Sequence, residues 1–171
     1  SGKIPQASAG AQATGLRRDW NNILGDMTQE QVDYHPEGLA NPISQLVVHS
    51  LGYLDTVVNK TAQGKTPIWD SGNWGTKITG IAPGRQDLAK ARAAKVNLAA
   101  LKEYTNEVLA SVDAYLATAQ PSDLDKQIPG AGGNMVPLAN QLSSAIVTHF
   151  ADHMGEISAI KGIRGGKGYV G

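Results

Sequence analysis

Apolar side chains recur at helical spacing in four separate segments of the chain, and this pattern constrains the fold most strongly. In the first segment, Leu16, Trp20, Ile23, Leu24 and Met27 occupy positions i, i+4, i+7, i+8 and i+11, the stripe of an amphipathic helix. No stretch of the sequence has the residue pattern of core β-strands, and no internal sequence repeat of fixed length is present. The sequence therefore predicts an all-α fold, an antiparallel up-down-up-down four-helix bundle.

Proline, glycine and capping residues set the expected bounds. The expected later helices are, in chain order, Asn41-Pro42 to about Thr61, 87–118, and Asn134 or Val136-Pro137 to about Gly162. The glycine-rich stretch 128–133 predicts a tight turn or a small hairpin. The small, polar residues 1–12 predict a mobile N-terminal arm, which leaves 13–171 as a single domain.

Residues 63–85 predict a long loop between helices 2 and 3. The segment holds five glycines and two prolines and has no sustained period. Connections of this length are uncommon unless they form lids or binding walls, so Trp69 and Trp74 are candidates to line a cofactor or substrate pocket. The alternative is that both tryptophans cover the open end of a helical core.

Composition narrows the expected partners. The chain has 15 basic and 15 acidic residues, so electrostatics favours neither nucleic acid nor an anionic membrane, and a small-molecule substrate is expected. Near-neutral charge and the alanine-rich start of helix 3 (Ala89, Ala91, Ala93, Ala94) permit a homodimer. Cysteine is absent, so any thiol chemistry has to use a small molecule's sulfur. A cytoplasmic location is expected, with a removed signal peptide left open because the chain begins Ser-Gly.

Two of the four histidines lie one helical turn apart. His149 and His153 share one face of the predicted fourth helix, so both imidazoles can reach a single ion. His49 lies in the apolar stripe of the second helix and is expected to face them. Buried histidines bonded to protein groups are the alternative, but three of them would need separate partners for each ring nitrogen. The sequence therefore predicts a three-histidine metal site with an open coordination position.

Two further residues are candidates for the same site. Glu156 follows His153 by three residues and is expected to act as a fourth ligand, as a partner that orients an imidazole, or as a general base. Tyr53 follows His49 by one turn and is expected to contact a bound cofactor or substrate. A solvated position for Glu156 and core packing for Tyr53 are the alternatives.

A Trp-bearing first helix, the run Asn-Pro-Ile-Ser-Gln-Leu-Val-Val-His49 and the run His149-x-x-x-His153-Met-Gly-Glu-Ile together resemble the DinB-like superfamily. The resemblance covers about residues 14–166. It implies a four-helix bundle that binds a divalent ion, often zinc or nickel, through His49, His149 and His153. Members often have Gln where this chain has Glu156, which puts the ligand count and the charge of the site in question.

The resemblance also implies a choice of activities. Some members are described as metal-dependent hydrolases, and others transfer or isomerise groups with the help of low-molecular-weight thiols. We therefore expect a metal-dependent enzyme in which a zinc or nickel ion activates water or a thiol cofactor. A non-catalytic helical module that binds a small molecule or a protein is the alternative.

Overall fold

The structure, a computed structural model, describes the backbone of residues 6–130 and 133–168. Its helices, in chain order, are α1 (Gln6–Gly25), α2 (Gln29–Asp33), α3 (Ile43–Asp55), α4 (Ile68–Ser71), α5 (Trp74–Ile78), α6 (Leu88–Ala93), α7 (Leu98–Thr118), α8 (Pro121–Leu124), α9 (Leu138–Ser143) and α10 (Phe150–Ile163). Two π-helical turns, π1 (Thr56–Ala62) and π2 (Ser144–His149), extend α3 and join α9 to α10. The predicted all-α fold is confirmed.

Four long helical segments form the core. The first is α1, the second is α3 with π1, the third is α7, and the fourth runs from α9 through π2 to α10. The first and second segments each pack against both the third and the fourth. The buried apolar side chains of all four segments belong to a single cluster, which fits one domain. The alternating direction of the helices stays a prediction.

The expected third helix is divided in two, and this part of the prediction is wrong. Helix α6 ends at Ala93, Ala94 has an extended backbone, and α7 begins after Asn97. The Asn97 side-chain oxygen accepts a hydrogen bond from the Ala100 backbone N–H at 3.1 Å. The backbone N–H of Asn97 donates to the Ile78 carbonyl. These bonds stabilise a new helix start inside the alanine-rich stretch, where propensity alone favours a continuous helix.

Other expected bounds shift by less. Helix α1 already begins at Gln6, so residues 6–12 are helical, while residues 1–5 of the predicted arm lie outside the described residues. The second helix starts at Ile43, with Pro42 as an extended N-cap residue, rather than with Asn41 capping. The predicted hairpin is confirmed: β1 (Gln127–Pro129) pairs antiparallel with β2 (Met135–Pro137).

The predicted loop over 63–85 holds two short helices, α4 and α5, that pack on α7. The carboxylate of Asp55, at the end of α3, accepts hydrogen bonds from the Ile68 and Trp69 amides at 2.9 Å each. Asp55 is fully buried and also accepts from Asn59 and Tyr104. This carboxylate therefore fixes the start of α4 on the second helix. In the described residues, no helix is both long enough and apolar enough to span a membrane.

Candidate metal centre

His49 lies on α3 and is oriented by the loop that follows α5. Its Nδ1 lies 3.0 Å from the carbonyl oxygen of Pro83, and donation of the Nδ1 proton to that oxygen leaves Nε2 with a free lone pair. Gly52, one turn further along α3, makes this contact possible. A Cβ atom on Gly52 would lie 2.1 Å from the Pro83 Cβ, so only glycine lets the loop approach so closely.

His149 and His153 lie on the fourth segment, on either side of the change from π2 to α10. His149 is the last residue of π2, and His153 follows within the first turns of α10. Isolated π turns occur often at functional sites. Here the wider turn ends at the histidine that contacts the second helix.

The three imidazoles converge as the sequence predicts. The ring centre of His49 lies 5.0 Å from that of His149 and 5.2 Å from that of His153. The ring centres of His149 and His153 are 4.6 Å apart. One ligand nitrogen from each histidine lies within 4.8 Å of the other two. These are the only His, Cys, Asp or Glu residues that form such a group in the described part of the chain.

The spacing of two ligand nitrogens fits a single ion. The Nε2 atoms of His49 and His149 are 3.2 Å apart. Two nitrogens bound to one tetrahedral zinc at about 2.0–2.1 Å would be separated by about 3.3–3.4 Å. This pair therefore suits a zinc-like divalent ion, and a ligand nitrogen of His153 lies within 4.8 Å of both.

Electrostatics keeps His149 in the form that binds metals. Burial, the neighbouring His153 and then His49 lower the pKa of His149 to about 4, against weaker opposing effects from Asp152 and Glu156. At neutral pH the ring is uncharged and carries a lone pair, as a metal ligand requires. Its Nδ1 is buried and has no hydrogen-bond partner among the described atoms.

Glu156 and Tyr53, the two further candidates, contact the histidines directly. An oxygen of Glu156 lies 2.6 Å from Nδ1 of His153, the geometry of a carboxylate that orients an imidazole. The Tyr53 ring centre lies 4.6 Å from that of His149, and its hydroxyl accepts a hydrogen bond from Gln141 at 2.6 Å. Of the three roles expected for Glu156, this contact favours the orienting one.

Trp69 and Trp74 do not line the histidine pocket, which corrects the prediction made for them. Both pack against Tyr104, with ring centres 5.2 Å and 5.7 Å from it, and Trp74 is buried. The backbone amide of Trp69 donates to Asp55, which holds this part of the loop against α7, and neither tryptophan is among the residues that line the pocket over the histidines. The alternative interpretation, that they cover the helical core, agrees with the structure.

An open pocket of about 450 Å³ lies over His49, His149 and His153. Its other walls are Asn41, Gln45, Leu46, Arg85 and Gln86. Sequence reasoning missed these residues. Gln45 precedes His49 by one helical turn, so its spacing was a usable signal. Arg85 and Gln86 lie in the irregular segment, where no period indicates which side chains face the site.

The family model of the DinB superfamily matches residues 12–157. The chain belongs to the DinB superfamily. The match includes all three histidines, both π turns and the loop that carries Pro83 and Arg85. No curated protein matches the chain.

A solved structure shows the same DinB-type fold. The crystal structure of a conserved protein from Enterococcus faecalis superposes with a TM-score of 0.74. The alignment covers 95% of this chain and 99% of that chain at 20% sequence identity. At this identity the likeness establishes the fold alone.

Proposed function

We propose that this DinB protein is a divalent-metal-dependent enzyme whose ion, zinc or nickel, is held by His49, His149 and His153. The observation that carries the proposal is the convergence of three ligand nitrogens within 4.8 Å beneath an open pocket. Three protein ligands leave a coordination position for a reactant, unlike closed four-ligand structural sites. When bound there, the ion would lower the pKa of a water molecule or of a low-molecular-weight thiol.

The chain's own groups prepare the site. The Pro83 carbonyl and the Glu156 carboxylate hold the rings of His49 and His153 through their Nδ1 atoms. Such partners fix the tautomer and the direction of a ligand ring. In this proposal, Glu156 is a positioning residue, and Tyr53 packs beside His149 to limit its movement.

We favour the thiol-dependent transferase over the hydrolase. Within the described part of the chain, no Asp or Glu side chain lines the pocket, so the ion itself would have to deprotonate the nucleophile. A thiol bound to zinc is deprotonated outright, whereas a zinc-bound water keeps a pKa of about 7 and is only partly deprotonated at neutral pH, so such a pocket suits the thiol better. The absence of cysteine in the chain is compatible with a thiol supplied by a small molecule.

The first test is the metal content of purified, tag-free protein, measured by elemental mass spectrometry. Wild-type protein is expected to hold about one ion per chain, and His153→Ala is expected to lose it. His35→Ala is the matched control, because His35 is exposed and lies outside the three-histidine group. A wild-type protein that stays empty after challenge with zinc, nickel and manganese would overturn the metal-dependent function.

The second test separates the two reaction classes. Metal-loaded protein is incubated with an electrophile, with and without an added small thiol, and consumption of the electrophile is followed. Consumption that needs the thiol is expected. Because the chain has no cysteine, a thiol reagent then counts only the added thiol. Consumption without thiol would indicate hydrolysis instead.

A further inference from the structure

Arg85 brings a positive charge to the wall of the pocket without an internal partner. Arg85 lines the same pocket as the three histidines. Among the described residues, no carboxylate pairs with it, and none lines the pocket. Guanidinium groups bind carboxylates through two parallel N–H bonds, so an arginine left free beside a reaction site suits an anionic ligand.

Gln45 is a second and independent sign of a ligand. Its side chain is only 5% exposed and lines the pocket. The amide nitrogen donates to the Gly84 carbonyl at 3.2 Å, which fixes the orientation of the amide. Its oxygen is buried and has no donor in the described structure. An unmatched buried acceptor is unfavourable, and a ligand O–H or N–H group would satisfy it.

Gln86 repeats the arrangement from the loop side. Its amide nitrogen donates to the Ala82 carbonyl at 3.0 Å, and its oxygen is also buried without a donor. Gln45, Gln86 and Arg85 therefore lie together in the wall of the pocket, and the three histidines also line it. Arg85 can bind a negatively charged group, and Gln45 and Gln86 each offer one hydrogen-bond acceptor.

We propose that the pocket selects an anionic thiol, with its carboxylate bound by Arg85 and a hydroxyl or amide hydrogen accepted by Gln45. This inference rests on the proposed thiol-dependent function and narrows its cofactor class. The charge would be recognised by a residue beside the metal site rather than by the metal ligands.

The test compares thioglycolate with mercaptoethanol, two thiols of similar size that differ in charge. Binding to zinc-loaded protein is measured by isothermal titration calorimetry, with propionate as a thiol-free anion. Wild-type protein is expected to bind thioglycolate more tightly than mercaptoethanol. In Arg85→Gln the affinity for thioglycolate should fall about tenfold, while that for mercaptoethanol stays the same.

Two further variants act as controls. Arg85→Lys keeps the charge but loses the paired N–H geometry, and an intermediate affinity is expected. Arg18→Gln removes an exposed arginine from α1, outside the pocket, and should bind both thiols as wild type does.

The outcomes separate this inference from the function beneath it. Equal binding of the two thiols, or equal losses for both in Arg85→Gln, overturns the anionic preference and leaves the thiol-dependent function standing. If neither thiol binds but propionate binds in an Arg85-dependent manner, the anion site stands and the thiol chemistry fails. If none of the three binds, both are overturned.

Discussion

Gly52 has no side chain, and this absence determines where the Pro83 carbonyl lies. The loop reaches α3 because nothing projects from Gly52, and the approach places the carbonyl oxygen 3.0 Å from His49. A single hydrogen atom in place of a methyl group thus contributes to the orientation of a metal ligand.

Gly52→Ala is expected to weaken both stability and metal binding. The new Cβ would force the Pro83 loop outward, which should lower the free energy of unfolding by about 1–3 kcal/mol. Because His49 would lose its carbonyl partner, zinc affinity should fall by about tenfold or more. Chemical denaturation of the metal-free protein and competition with a zinc chelator measure the two effects.

The matched control is Gly155→Ala, since Gly155 lies inside α10 and a Cβ there meets no heavy atom within 4 Å. It should stabilise the helix by about 0.5–1 kcal/mol and leave zinc affinity unchanged. If Gly52→Ala binds zinc as tightly as this control, the Pro83 carbonyl does not support the centre.

The sequence identifies the metal-ligand histidines better than it identifies the groups that orient them. The four-residue spacing of His149 and His153 indicates that they share one helix face, and the apolar stripe around His49 indicates that its side chain points into the core. The support of His49 is a backbone oxygen at Pro83, and every residue has one, so no residue type marks it. Arg85 is equally hidden, because the position of a loop side chain depends on contacts distant in sequence.

Among the elements, α4 depends on a buried carboxylate of α3. Asp55 is 0% exposed and accepts the amides of Ile68 and Trp69 together with the Tyr104 hydroxyl. Burial and the Asp55 charge raise the pKa of the Tyr104 phenol well above its ordinary range, so that phenol remains a donor. The loop that forms one wall of the metal pocket thus begins at a fixed point.

Asp55→Asn is expected to destabilise the protein by about 1–3 kcal/mol, because the new amide nitrogen cannot accept a backbone hydrogen bond. Trp69 should respond first, so a change in tryptophan fluorescence is expected, and denaturant unfolding gives the free energy of unfolding. Asp70→Asn, an exposed change of the same kind within α4, is the control. Equal stability of the two variants would contradict the anchoring role.

The division of the third helix shows why some element bounds escape prediction. Asp87 and Asn97 both cap helices, and both residue types are common caps. Between them, the alanines satisfy helical propensity whether or not the chain is continuous. The deciding bond, from the Asn97 amide to the Ile78 carbonyl, joins residues far apart in sequence. The sequence pattern predicts that the helices exist, whereas tertiary contacts determine where they begin and end.

Across the whole molecule, Lys161 joins the last helix to the first. Its side chain is fully buried, and its ammonium donates to the Ile23 carbonyl at 2.8 Å and to the Asp26 carboxylate. The hydrogen bond from Lys161 lowers the pKa of Asp26 below its ordinary 3.8. Folding therefore favours the charged carboxylate, and this stabilisation is complete above pH 3.8 and is lost as the pH falls through the lowered value.

Asp26→Asn is expected to remove this acid-dependent part of the stability. At neutral pH the variant should melt at a lower temperature than wild type, and the difference should shrink as the pH drops below 3.8. Thermal unfolding of the metal-free proteins across this range measures it. Asp125→Asn, a change of the same kind at an exposed position after α8, gives the baseline. A difference that does not change with pH would contradict the linkage.

The π2 turn lets the fourth segment hold an extra residue while its metal ligands keep their direction. A π turn holds one residue more than an α turn. Deleting the exposed Ser144 would let the segment close as a regular α-helix, and because the wider turn had already absorbed the extra residue, α9 and α10 would keep their relative rotation. His149 and His153 would then stay on the face that meets His49. In evolutionary terms, this turn is a place where a single codon can be gained or lost while the three ligand histidines stay together.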